Sequence, residues 1–112
     1  MAEYGEWIRK GAVLSEVTAA KDYGVTREFV VEGIQAGKLE FREGSVAGNP
    51  YFRILRSQLE SYIVHQLGSE YLASAKSEAE LRAIRIEMKD LKKKLAALEA
   101  RKAVLERAMT TS

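Results

Sequence analysis

An unbroken heptad runs through the last third of the chain. Leu81, Ile84, Met88, Leu91, Leu95, Leu98, Lys102, Leu105 and Met109 recur at alternating spacings of three and four residues. A lone helix carrying that seam cannot bury it and pairs with another helix, most simply its own copy. Ser77-Glu78-Ala79-Glu80 matches a capping box, a serine followed three residues later by a carboxylate, and predicts the helix start there. The helix is then expected to run from about 78 to 109, roughly 45–50 Å at 1.5 Å per residue.

The residues flanking the seam test self-pairing. With Leu81 at position a, Glu80, Glu87, Lys94 and Arg101 occupy g, and Arg85, Lys92, Glu99 and Glu106 occupy e. A parallel pair brings Glu80 to Arg85, Glu87 to Lys92, Lys94 to Glu99 and Arg101 to Glu106, all opposite in sign. An antiparallel pair also matches opposite charges throughout, Arg85 with Glu106 and Lys92 with Glu99 among them. The charges support a homodimer and leave its direction open. Lys102 at an a position disfavours higher-order packing, where its ammonium would lose water. A hairpin against a helix at 56–67 is the alternative, but that helix is too short to cover the seam.

At 112 residues the chain holds one small domain plus this appendage. Apolar residues at 46% and charged residues at 30% suit a soluble, helix-rich protein. The absence of cysteine excludes disulfides and thiolate metal sites and agrees with an expected cytoplasmic location. The first ten residues lack the layout of a signal peptide, and no window is apolar enough to span a membrane. Charge is uneven: residues 1–68 carry 8 Lys+Arg against 9 Asp+Glu, and residues 69–112 carry 10 against 7. Bulk attraction to a polyanion is therefore weak in the front part.

That front part reads as short, well-punctuated elements. In the lead-in, residues 1–13, Trp7 and Ile8 are candidates to dock on a core. Ser15 is an N-cap for a helix from Glu16 to Tyr23, with Val17, Ala20 and Tyr23 on one side and Gly24 as its stop. Thr26 caps a second helix, 27–36, with Val30 and Ile34 inward and Gly37 at its end. Two helices joined by Gly24-Val25-Thr26 make a helix-turn-helix layout. Leu39–Arg42 and Tyr51–Ile54 then alternate as strands, with Glu43–Pro50 as the hairpin tip. A third helix from Arg56 or Ser57 carries Leu59, Tyr62, Ile63 and Leu67 toward the core until Gly68.

Three segments, Leu14–Ala20, Tyr23–Arg27 and Gln35–Leu39, together with Phe52–Ile63, resemble the small winged helix-turn-helix of excisionases and MerR-type regulators. The resemblance covers about residues 14–63. It implies that helix 27–36 enters the major groove while the 42–51 hairpin reaches the flanking backbone or minor groove. Carried over by position, it puts Thr26, Arg27, Glu28, Val31, Glu32 and Gln35 toward the groove, and Lys38, Arg42, Arg53 and Arg56 near phosphates. Arg27 would read guanine and Gln35 adenine. Glu28 and Glu32 depart from the pattern, since carboxylates repel phosphate, although glutamate also accepts from the amino group of cytosine.

Other constellations carry less. Lys92-Lys93-Lys94 is a short basic run on a solvated helix face. His65, the only histidine, has no companion ligands, so no metal is expected. Gly44 and Gly48 belong to a hairpin rather than a phosphate loop. Ser, His and acidic residues form no catalytic arrangement, and neither an enzyme, a cofactor nor a small-molecule ligand is expected.

The sequence thus predicts a mainly α protein. A winged helix-turn-helix head occupies residues 1–68, a linker or kinked joint 69–77, with a short helix at 69–76 as the alternative, and a coiled-coil dimerisation helix 78–112. Double-stranded DNA and a second copy are the expected partners, and transcription regulation or excisionase-like architecture the expected role. Similar heads on helical stalks occur in small terminase subunits, so a phage-type DNA-packaging factor is one alternative. A protein-interaction scaffold with a repurposed head is another.

Overall fold

A computed structural model describes residues 4–111. Met1, Ala2, Glu3 and Ser112, which belong to the expected lead-in and to the end of the expected dimerisation helix, lie outside these residues. The chain is about 70% helical, with a small three-stranded antiparallel sheet and a long C-terminal helix. The elements run α1 (Tyr4–Ile8), β1 (Val13–Ser15), α2 (Glu16–Tyr23), α3 (Arg27–Gln35), β2 (Phe41–Val46), β3 (Asn49–Leu55), α4 (Arg56–Leu67) and α5 (Ser69–Thr110). Two compact units divide the chain between Ala79 and Glu80.

Local chemistry sets the first unit's elements. The Ser15 side chain accepts from the Thr18 amide, and the Thr26 side chain accepts from the Phe29 amide, so α2 and α3 both start on a hydroxyl cap. Gly24 ends α2 at φ 70, a conformation that costs an L side chain about 1–2 kcal/mol. Only Gly24, Val25 and Thr26 separate the two helices.

The sheet order is β1-β3-β2. β1 pairs Leu14 with Ile54, while β2 pairs Arg42 with Arg53 and Val46 with Asn49. β1 escapes the sequence reading because three residues are too few to show alternation. The hairpin is also longer than predicted: Glu43–Val46 and Asn49–Pro50, expected at the tip, are paired strand residues. Only Ala47 and Gly48 turn, at φ 52 and φ 82, and two consecutive positive φ values match the twist of a two-residue hairpin. Gly44 lies opposite Tyr51, whose ring would stand 2.7 Å from a Cβ placed there. Glycine lets that aromatic ring fold across the strand.

Leu14, Ala19, Tyr23, Val25, Val30, Leu39, Ile54, Leu59, Tyr62 and Ile63 form the core, drawn from β1, α2, α3, β3, α4 and the connections between them. Several expected positions differ. On α2 the inward residues are Ala19 and Tyr23, one helical turn apart, while Val17 is 72% exposed and Ala20 is exposed. Leu67, at the end of α4, is exposed. Trp7 is buried and Ile8 is exposed. Inside α3, Gly33 admits Leu39 and Tyr62, which would stand 2.7 and 2.9 Å from an added Cβ.

The helix start predicted at Ser77 is not used. After Gly68 at φ 95, α5 begins at Ser69, so residues 69–77 are helical rather than a linker. Packing explains the earlier start, because Tyr71 and Leu72 are partly buried against the core. The Tyr71 hydroxyl also donates to the Tyr23 carbonyl at the end of α2, at 2.7 Å. The second unit, from Glu80, is the remainder of α5, and no residue of that helix is buried. No helix among the described residues is long and apolar enough to cross a membrane.

Candidate nucleic-acid interface

The expected groove-facing residues all lie on or beside α3. Thr26, Arg27, Glu28, Glu32 and Gln35 are exposed, Val31 is half-buried, and Val30 and Gly33 take the inward side. Arg27, Glu28, Val31 and Glu32 line one shallow concavity. Glu28 sits in the first turn, where a carboxylate complements the positive end of the helix dipole. Its presence has a helix-stabilising cause in addition to any contact with a base.

Arg27 is not a loose surface cation. Its Nε donates to Glu16 Oε2 at 2.8 Å, and its guanidinium lies 5.4 Å from the centre of the Phe52 ring. These partners stand at the start of α2 and on β3, so three elements converge at the beginning of α3. Gln35 ends α3, and Lys38 follows it. Lys38 lines a separate concavity with Ser57, Gln58, Ser61, Tyr62 and His65.

The hairpin arginines are neighbours. Arg42 and Arg53 are directly opposed in the β2–β3 register, on one face of the sheet. Directly opposed positions on one face bring two cations to one part of the sheet. The Arg42 guanidinium lies 4.4 Å from the centre of the Trp7 ring, a cation–π contact that holds it over that face. Arg53 lines a cavity of about 760 Å³ with Ser15, Glu16, Val17, Val46 and Tyr51 among its walls. The turn itself, Ala47-Gly48, carries no cation. The charges of the hairpin lie at its base, not at the tip.

Arg56 lines the same cavity as Arg53 but is tied into the fold by its own partners. It donates to the Gly11 carbonyl at 3.0 Å and to the Tyr23 hydroxyl at 2.8 Å, and it pairs with Asp22 at 3.7 Å. The Tyr23 hydroxyl in turn donates to Glu60 Oε2 at 2.5 Å. Burial, reinforced by the bond to Glu60 and opposed by Arg56, pushes the Tyr23 phenol up to about 12. Glu60 also pairs with Lys76 at 3.4 Å. Arg56 therefore ties α2 and α4 together inside the first unit.

Sequence reasoning missed the supporting residues Glu16 and Phe52, and it took Trp7 only for a core residue. Glu16 and Arg27 are separated by eleven residues across a turn, a spacing that no periodic pattern marks.

The expected dimerisation residues lie along α5. Leu81, Ile84, Met88, Leu91, Leu95, Leu98, Leu105 and Met109 are exposed, and Lys102 pairs with Glu106 one turn on, at 3.6 Å. Among the described residues no group of three His, Cys, Asp or Glu side chains is placed to hold a metal ion. No family model, no curated protein and no solved structure matches this chain.

Proposed function

We propose that this protein is a sequence-specific DNA-binding protein that acts as a homodimer, with a winged helix-turn-helix head and a coiled-coil seam. Transcription regulation or excisionase-like architecture is the role this reading favours, in the cytoplasm. One observation carries it: a hydroxyl-capped helix, α3, follows α2 after three residues and presents Thr26, Arg27, Glu28, Glu32 and Gln35 outward in the same unit as a two-arginine hairpin. A helix so presented suits the major groove, and two opposed arginines suit a phosphate. The exposed seam of α5 supports the pairing, since eight large apolar side chains on one stripe are stable only when covered. Two heads on one seam would add avidity to a head of weak net charge.

Electrophoretic shift with random-sequence and genomic fragments, across a salt series, tests this reading. A preferred fragment with a steep salt dependence is the expected result. Arg27→Ala should cost about 1–3 kcal/mol on the preferred site if that side chain reads a base. One observation favours a protein-interaction scaffold instead: the concavity on α3 carries two carboxylates against one cation. Absence of any shift at low salt would support the scaffold and end the DNA reading.

A further inference from the structure

The Glu16–Arg27 pair differs from an ordinary surface ion pair. The Glu16 side chain is only 11% exposed, while that of Arg27 is 65% exposed. A largely buried carboxylate thus holds the near end of an exposed guanidinium. The contact is made to Nε, at 2.8 Å, and the Phe52 ring flanks the same group, 5.4 Å from centroid to Cζ. Glu16 and Arg27 open consecutive helices joined by the three-residue turn Gly24-Val25-Thr26.

A guanidinium has five N–H donors in one plane. With Nε–H taken by Glu16, the two Nη groups at the far end remain as a parallel fork, which matches two acceptors side by side. We propose that Glu16 is a positioning residue for specificity. It fixes Arg27 so that the Nη edge meets O6 and N7 of one guanine in the major groove. This inference rests on the DNA-binding reading given above.

The pair also has an electrostatic consequence. Glu16 cancels most of the charge that Arg27 would offer to any phosphate, so the pair adds little to sequence-independent attraction. What remains is directional. A free arginine at this position could swing to any nearby phosphate, whereas the buttressed one is held in one orientation and carries a neutralising carboxylate beside it.

The test uses the full chain, fluorescence anisotropy at fixed salt, and a duplex selected from a random library by the unmodified protein. Guanines in the site are replaced singly by 7-deazaguanine, which lacks the N7 acceptor. The unmodified protein should lose about tenfold in affinity at one guanine. Glu16→Ala should abolish that discrimination while raising affinity for unrelated DNA, because a carboxylate has been removed. Glu16→Gln should keep most of the discrimination, since its amide oxygen accepts from the same N–H. Arg27→Lys, which keeps the charge and lacks the fork, should lose discrimination and retain unrelated binding. In an Arg27→Ala background, Glu16→Ala should change discrimination no further.

Full discrimination in Glu16→Ala would overturn the proposal. So would a further change in discrimination when Glu16→Ala is added to Arg27→Ala, since Glu16 would then act through another route. If the unmodified protein binds no duplex, the DNA reading and the positioning role fall together. If it binds and Glu16→Ala discriminates as the unmodified protein does, the positioning role falls alone.

Discussion

In the first unit Val30, Ile54, Leu55, Leu59 and Ile63 are wholly excluded from solvent, whereas the apolar seam residues from Leu81 to Met109 are 43–80% exposed. Both regions use leucine, isoleucine and helical spacing. They differ in what surrounds the apolar stripe. In the first unit α2, α3 and α4 are short, end at Gly24, Ala36 and Gly68, and share one core with the sheet. In the second unit the same chemistry is drawn out along one helix with a strict period, and no residue of that helix is buried. A short amphipathic helix can find its cover within its own chain, whereas on the proposed reading a long heptad finds it in a second copy.

Breaking the seam is the largest expected effect. Leu91→Glu combined with Leu98→Glu should give a monomer by sedimentation and weaken binding to the preferred duplex by about a hundredfold or more, the loss of avidity. The first unit should keep its own unfolding transition. A persistent dimer would show that another surface holds the assembly.

The core of the first unit should respond in the opposite way. Leu59→Ala removes a fully buried side chain and should destabilise that unit by about 2–5 kcal/mol, read by chemical denaturation. Self-association through residues 80–111 should survive it. Loss of both together would make the two units one cooperative system.

A smaller effect belongs to Tyr23. Its phenol titrates near 10 in the unfolded chain and is pushed up to about 12 in the fold. Below pH 10 both states hold the proton and this group leaves stability independent of pH. Between pH 10 and 12 the unfolded chain binds fewer protons, so stability should fall as pH rises. Tyr23→Phe should flatten that part of the profile in denaturation experiments, and an unchanged slope would reject the assignment. Smallest is Ala47→Gly, which relieves a positive φ of 52 in the hairpin turn and should stabilise the first unit by up to about 1 kcal/mol.

Much of this contrast is legible in the sequence, because it depends on local signals. Ser15, Gly24 and Thr26 are punctuation whose chemistry acts within a few residues, and α2 begins and ends at Glu16 and Tyr23 as the caps predict. The inward stripe of α2 is not legible, since Val17, Ala19 and Ala20 are all apolar and tertiary packing chooses Ala19. The capping box at Ser77 misleads for a related reason. Tyr71 and Leu72 find cover on the core, so helix extends back to Ser69 and overrides a local start signal. The hairpin's length depends on Gly44 yielding to the Tyr51 ring, a contact between strands that a linear pattern does not contain.

The candidate interface divides along the same line. Thr26, Arg27, Glu28, Glu32 and Gln35 share an exposed face because helical spacing puts them there. The roles of Glu16, Phe52 and Trp7 come from long-range packing, as does the tethering of Arg56 to Gly11, Asp22 and Tyr23. Sequence spacing finds residues that share an element, and only the fold finds residues that orient one another across elements.

The most direct test of a DNA-binding dimer is sedimentation velocity of the intact protein with its selected duplex, monitored at the absorbance of a dye on the DNA. A DNA-binding dimer should give a single complex containing two chains per duplex, replaced by free duplex at the same concentration for the Leu91→Glu, Leu98→Glu variant. A duplex that sediments unchanged with the intact protein at low salt would contradict it.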